Sequence, residues 1–272
     1  MTVLTSVADL LRDPAPVLLD VRWQLGSDTG RDDYLAGHLP GAVFVDLDTE
    51  LSAPASPQAG RHPLPSVQSL QAAARRWGIS AGSRIVVYDA GPATAAARAW
   101  WLLRWAGLGD VTILDGGLAA WTAAGGPVEA GDVVPVPGDV RLTGGAMPVL
   151  TIDEAAALPG EGVLLDARAG ERYRGDLEPI DPRAGHVPGA VNAPTTANVG
   201  PDGRFRAAAV LRRQFAQVGA VPGTPVGVYC GSGITAAHEV AALAHAGIAA
   251  ALWPGSWSQW ANDPTRPAAT GP

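Results

Sequence analysis

The sequence predicts an α/β protein of two tandem domains, each a mostly parallel sheet flanked by helices. Short apolar runs rich in β-branched residues alternate with segments of helical length, the pattern of buried strands covered by helices. Four sequence blocks also occur twice, in the same order. Of the 272 residues 47% are hydrophobic and 17% charged, which supplies two cores and argues against disorder.

The repeated blocks fix the organisation. Val17-Leu18-Leu19-Asp20-Val21-Arg22 returns as Val163-Leu164-Leu165-Asp166-Ala167-Arg168. Gly37-His38-Leu39-Pro40-Gly41-Ala42 returns as Gly185-His186-Val187-Pro188-Gly189-Ala190. Val87-Tyr88 with Thr94-Ala95-Ala96 matches Val228-Tyr229 with Thr235-Ala236-Ala237, and Gly116-Gly117-Leu118-Ala119-Ala120-Trp121 matches Gly255-Ser256-Trp257-Ser258-Gln259-Trp260. The second copies lie 139 to 148 residues further on, a drift expected of a duplicated domain with small loop changes. Turn formers crowd between the copies, from Gly125-Gly126-Pro127 to Gly144-Gly145 and Pro148. Residues 1–124 are therefore read as one domain, 125–149 as a linker and 150–272 as the second domain.

Within the first copy the expected strands are Val17–Val21, Ile85–Tyr88 and Val111–Leu114, with helices at Val67–Trp77 and Thr94–Ala106 that stop at Gly78 and Gly107. The second copy offers strands at Val163–Leu165, Val226–Tyr229 and Ala249–Leu252, and helices at Ala207–Val218 and Ile234–Ala246. Trp100, Trp101 and Trp105 read as helix core rather than as a cofactor box.

Composition removes several functions. Net charge is −7, from 19 basic and 26 acidic residues with no basic run, so a nucleic-acid partner is not expected. The N-terminus lacks a basic segment followed by an apolar stretch, and no apolar tract is long enough for a membrane span. A soluble cytoplasmic protein is expected. The one cysteine, Cys230, excludes an intrachain disulfide and a cysteine-based zinc cluster.

The duplication provides an internal control. What both copies share reads as fold, so His38, His186 and the Asp20/Arg22 and Asp166/Arg168 pairs read as structural. What one copy alone carries is a candidate for function. After Tyr88 the chain runs Asp89-Ala90-Gly91-Pro92-Ala93-Thr94; after Tyr229 it runs Cys230-Gly231-Ser232-Gly233-Ile234-Thr235. A lone cysteine is usually a small buried hydrophobe. Here it ends a strand, enters a glycine-rich loop and precedes a helix, at the sheet edge where open α/β folds bind ligands. Inward-turned N–H groups and the helix N-terminus favour negative charge on the sulfur, and so a nucleophile. A Cys-x5-Arg phosphatase loop is excluded, because the position six after Cys230 is Ala236.

These residues resemble those of the two-domain rhodanese-type sulfurtransferases, over about Val3 to Trp260. The loop Cys-Gly-Ser-Gly-Ile-Thr is similar to the Cys-Gly-Ser-Gly-Val-Thr loop of the 3-mercaptopyruvate sulfurtransferases, whereas thiosulfate-using members usually carry Cys-Arg-Lys-Gly-Val-Thr. The resemblance implies that Cys230 holds a persulfide and that Gly231, Ser232, Gly233, Ile234 and Thr235 line it. It implies that Arg172, in Arg172-Tyr173, and Arg183, in Pro182-Arg183, contact the donor carboxylate and ketone. These arginines have no counterparts in the first copy, and arginine suits bidentate carboxylate capture. The resemblance also brings Asp48 and His62 from the first domain toward the loop, with Ser232, His62 and Asp48 serving proton transfer.

The implied activity moves a sulfur from 3-mercaptopyruvate through Cys230 to a thiol, cyanide or a protein thiol, with no metal or organic cofactor. Two alternatives stand beside it: a thiosulfate:cyanide sulfurtransferase and a non-catalytic persulfide relay module.

Overall fold

The computed structural model describes residues 2–12 and 15–272. The chain divides into two compact units. The first comprises the residues up to Ala53, Pro65–Met147 and Pro201–Phe205; the second comprises Pro54–Leu64, Pro148–Gly200 and Arg206–Pro272.

The first unit holds a five-stranded sheet of β1 (Leu4–Thr5), β2 (Val17–Asp20), β3 (Val43–Phe44), β4 (Ile85–Tyr88) and β5 (Val111–Leu114). Its order is β1-β5-β4-β2-β3 and every pairing is parallel. All residues of β4 and β5 are buried, as expected for strands covered on both faces. The helix Val67–Arg76 begins at Ser66, whose hydroxyl accepts the Ser69 N–H. In the helix Thr94–Trp105 the run from Ala95 to Leu103 is buried throughout. Trp100 and Trp101 are core residues, and the Trp100 indole donates to the Val111 carbonyl.

The second unit repeats this plan with β6 (Val163–Asp166), β7 (Val191–Asn192), β8 (Val226–Tyr229) and β9 (Ala251–Leu252), ordered β7-β6-β8-β9 and parallel. Beside β9 a single parallel bridge from Val149 to Leu252 extends the sheet. The helices Ala208–Gln217 and Ile234–His245 cover it. The last strand starts two residues later than expected, because the Ile248 N–H still bonds the Leu243 carbonyl as the chain leaves the preceding helix.

The stretch expected to be a linker is bonded along the first unit as far as Met147. Glu129 pairs with His38, Val140 accepts from Arg75, and the Thr143 and Ala146 N–H groups bond the Ala106 and Trp105 carbonyls. The helices Gly30–Ala36 and Gly170–Arg174 carry no apolar period that sequence reading could detect. Each buries one tyrosine, Tyr34 or Tyr173.

Those tyrosines belong to a network built once in each unit. Tyr34 stacks on His38 and donates to the Ala42 carbonyl; Tyr173 stacks on His186 and donates to the Ala190 carbonyl. The hydroxyl of Tyr88 accepts the Leu39 N–H, and that of Tyr229 accepts the Val187 N–H. Behind them lie the pairs Asp20–Arg22 and Asp166–Arg168, at 2.6 Å each. The histidines of the repeated motif are thus structural, and the network explains why the motif occurs twice. Tyr88→Phe and Tyr229→Phe are each expected to strand a buried N–H and cost about 1–3 kcal/mol. Urea unfolding would show this, and an unchanged midpoint for either would contradict it.

Glu239 lies fully buried on the helix Ile234–His245 and accepts from Asn198 at 2.6 Å. Burial pushes its carboxyl up to about 8, against the opposing Asn198 bond. The folded protein therefore keeps a proton that the unfolded chain releases nearer the ordinary carboxylate range. Stability present in acid is lost as pH rises toward and through 8. Glu239→Gln is expected to flatten this decline and to be the more stable protein at pH 8.5. Denaturation at several pH values tests it, parallel curves being the contrary result.

Candidate active site

The loop after β8 spans only residues 230–233 before the helix begins at Ile234. Cys230 is 2% exposed. Its sulfur accepts the backbone N–H of Gly233 at 3.1 Å and of Ser232 at 3.4 Å. The tight turn needs Gly233, which has φ +83° and would place a Cβ 2.5 Å from the Pro254 carbonyl oxygen. Ile234 is buried at the helix start, and Thr235 follows it half-buried.

The loop is held from the other side by the helix Ser256–Trp260. The Trp257 and Ser258 N–H groups donate to the carbonyls of Cys230 and Gly231, both at 2.9 Å. The Cys230 N–H donates to Ser256 Oγ, which in turn donates to the Trp253 carbonyl. Ser256 sits at φ +52°, where the repeat partner Gly117 has φ +55°. A side chain in this left-handed region is strained, and Ser256 offsets the strain through the bond to Cys230. Sequence reading missed Ser256, although the exchange of Gly117 for Ser256 between the copies was its signal.

The first unit shows what the same loop does without a cysteine. Asp89 occupies the position and accepts four backbone N–H groups, from Gly91, Ala93, Ala95 and Ala96. Burial pushes its carboxyl up and these four donors oppose the shift. Ala93 and Gly233 both precede their helices with positive φ, and this loop, residues 89–93, is one residue longer than its counterpart.

The second unit also contains the segment Pro54–Leu64, which comes from the first half of the sequence. Gln259 donates to the Gln58 carbonyl, and the Arg61 N–H donates to Ser258 Oγ. Gly60, at φ +87°, lets the backbone approach so closely that a Cβ would stand 2.6 Å from the Gly255 oxygen. The segment delivers His62, whose Nδ1 is 2.8 Å from Ser232 Oγ. The hydroxyl beside the sulfur thus meets an imidazole. Asp48 lies in the first unit, on the helix Leu47–Glu50, and accepts from the Trp23 indole. Burial pushes its carboxyl up.

The two expected arginines part company. Arg172 stands near the loop, with Nη1 3.4 Å from where a Cβ on Gly231 would lie. Its other nitrogens are bonded to Glu178 and Asp181. Burial raises the Glu178 carboxyl, but the Arg172 bonds and the Asp181 and Ile180 N–H groups outweigh it and hold it below the ordinary range. Arg183, expected to contact the donor, is spent elsewhere. Its guanidinium donates to the carbonyls of Trp260, Ala261, Asp263 and Arg266 at 2.7–2.9 Å. These are orphan acceptors at the end of a helix and in the turn after it, which a cation satisfies. The residue that does approach the loop is Arg61, with Nη2 2.9 Å from the same Gly231 position and an ion pair to Asp181. It went unrecognised because neither a repeated block nor the family resemblance marks that position.

Among the described residues no three His, Cys, Asp or Glu side chains converge as metal ligands would. No helix of the described residues is long and apolar enough to cross a membrane.

Gly233→Ala is expected to displace the loop, lowering the melting temperature and slowing alkylation of Cys230 by iodoacetamide. The left-handed backbone alone costs about 1–2 kcal/mol for a residue with a Cβ. Retention of both properties would mean that the turn tolerates a side chain.

The profile of the rhodanese-like domain matches twice, over residues 3–124 and 151–263. A Mycobacterium tuberculosis protein provisionally named thiosulfate sulfurtransferase SseB is 49% identical, covering 98% of this chain and 95% of its own. A Pseudomonas aeruginosa protein provisionally named 3-mercaptopyruvate sulfurtransferase is 46% identical, covering 98% and 96%. The crystal structure of SseA from Escherichia coli, described as a 3-mercaptopyruvate enzyme of the rhodanese fold, superposes with a TM-score of 0.83 at 32% identity. It covers 94% of this chain and 99% of that one.

Proposed function

The chain belongs to the rhodanese-like domain family, and on that premise we propose that it is a sulfurtransferase carrying sulfur from 3-mercaptopyruvate through a persulfide on Cys230 to a thiol or cyanide. The observation that carries this reading is the pairing of a sulfur cradled by the Ser232 and Gly233 N–H groups with a hydroxyl, Ser232, bonded to His62.

The thiolate of Cys230 attacks the donor sulfur, and the carbon–sulfur bond breaks with its electrons left on the pyruvate enolate. The inward N–H groups stabilise the anionic sulfur before attack and again as the persulfide. The enolate takes a proton at carbon. Ser232 Oγ is the donor suited to that step, with His62 behind it to resupply the proton. The acceptor then attacks the outer sulfur. A thiol leaves as a persulfide, cyanide leaves as thiocyanate, and Cys230 returns to the thiolate. No metal or organic cofactor enters the scheme. The second half of the sequence, with Cys230, is the catalytic domain in this reading. The first, with Asp89 in the equivalent loop, carries no sulfur. Reduced Cys230 suits a cytoplasmic setting, and a protein thiol is an equally suitable acceptor.

Thiosulfate is the second donor reading, since the M. tuberculosis relative carries that name. Its sulfite leaving group needs no proton at carbon, so it would make no use of the Ser232–His62 bond. Residues 231 and 232 themselves carry no charge, and the cations beside Gly231, Arg61 and Arg172, would serve either donor, so the discriminating feature is the Ser232–His62 bond. The preference is therefore for 3-mercaptopyruvate.

Donor treatment should add one sulfur, about 32 Da, to the wild-type protein and none to Cys230→Ser in intact mass spectra. An adduct on the variant would remove Cys230 from the role. Steady-state kinetics should give a kcat/KM for 3-mercaptopyruvate at least about tenfold above that for thiosulfate. His62→Ala should lower kcat with the former more than with the latter. A wild-type preference for thiosulfate would establish the second reading instead.

A further inference from the structure

Two guanidinium groups converge on the position a Cβ of Gly231 would take. Arg61 uses Nη1 to pair with Asp181, and Arg172 uses Nε and Nη2 for Glu178 and Asp181. The nitrogens presented to the loop are Arg61 Nη2 and Arg172 Nη1, 2.9 and 3.4 Å from the position of a Cβ on Gly231. Arg61 Nε is buried and has no hydrogen-bond partner. A buried donor without an acceptor is costly and calls for an explanation, a bound ligand among them. Asp181, 2% exposed at its side chain, holds both arginines from behind, so the two forks are fixed before any anion arrives.

We infer that Arg61 joins Arg172, which the family resemblance already sets at the donor carboxylate, as the second arm of that clamp, in the place for which the sequence suggested Arg183. This rests on the sulfurtransferase reading and deepens it by naming the residue that selects the donor. The carboxylate of 3-mercaptopyruvate lies a few bonds from its sulfur. Gly231 is adjacent to Cys230, so guanidinium groups above Gly231 are at the right remove to hold that carboxylate while the sulfur meets Cys230. Gly231 has no side chain because one would fill the space between the arginines and the loop.

Arg183 has no fork left to offer a carboxylate, since four of its five N–H donors are held by backbone carbonyls.

The test uses two alkylating agents that differ in one charge. Iodoacetate and iodoacetamide both transfer a two-carbon group to the Cys230 thiolate with loss of iodide, and only the former carries a carboxylate near the attacked carbon. The ratio of their rates reports the clamp, and the iodoacetamide rate reports the integrity of the loop. Arg61→Gln and Arg172→Gln are each expected to lower the iodoacetate:iodoacetamide ratio about tenfold, the loss of one charge-assisted contact. Arg183→Gln is expected to leave the ratio unchanged while lowering stability. If Arg61→Gln does not fold, Arg61→Lys is read in its place. A fall of about threefold or more is then expected, because lysine keeps the charge without the fork. A ratio within about twofold of wild type in the folded Arg61 variant, or a fall in Arg183→Gln matching that of Arg172→Gln, overturns the assignment. A wild-type protein that takes no sulfur from 3-mercaptopyruvate, yet shows the expected ratios, would reject the functional reading and leave the anion clamp standing.

Discussion

Backbone N–H groups that point into a tight loop must meet a hydrogen-bond acceptor, and that constraint organises both halves of this protein. A strand ends, the chain turns within four or five residues, and a helix begins. The amides of the turn and of the first helical residues have no partner in the helix itself. In the first unit the carboxyl of Asp89 takes four of them. In the second a sulfur takes at least two. The fold therefore asks for an acceptor at this place, and function arises where that acceptor is a nucleophilic sulfur rather than the carboxyl of Asp89.

The duplication made much of this legible. Strands and helices with long apolar runs were placed within one or two residues, because their burial on both sides leaves a strong signal. The repeated histidine motif reads as structural, since Tyr88 and Tyr229 bind the backbone next to it in the same way. Cys230 and Ser232 stood out as unmatched between copies. What the sequence could not convey was long-range packing. Arg61 lies in the first half of the chain but packs in the second unit, through contacts as small as a missing Cβ at Gly60, and its neighbour His62 was placed near the loop by the family resemblance alone. Arg183 fitted the chemistry of carboxylate capture, yet a helix end with orphan carbonyls competed for it and won. The short helices that carry Tyr34 and Tyr173 were missed because one buried side chain is not a period.

The acidic residues around the arginines have a similar logic. A pair of guanidinium groups alone beside a buried sulfur would repel each other and sample many rotamers. Glu178 and Asp181 remove both problems by holding the groups in ion pairs of which the acids are buried to within a few per cent. Some attraction for an anion is given up for a fixed geometry. Such preorganisation reduces the entropy lost when a small substrate is bound.

The placement of Pro54–Leu64 in the second unit has a consequence for how this architecture can be taken apart. Repeats in a sequence invite the view that a duplicated gene can be divided at the seam and each product used as a module. A fragment beginning at Pro148 would retain Cys230, its loop and the whole second sheet, yet it would lack Arg61 and His62. The seam of the duplication and the seam of the chemistry fall in different places. After the gene doubled, the two copies became interdependent by lending a strip of eleven residues, and the reactive half ceased to be a self-sufficient part.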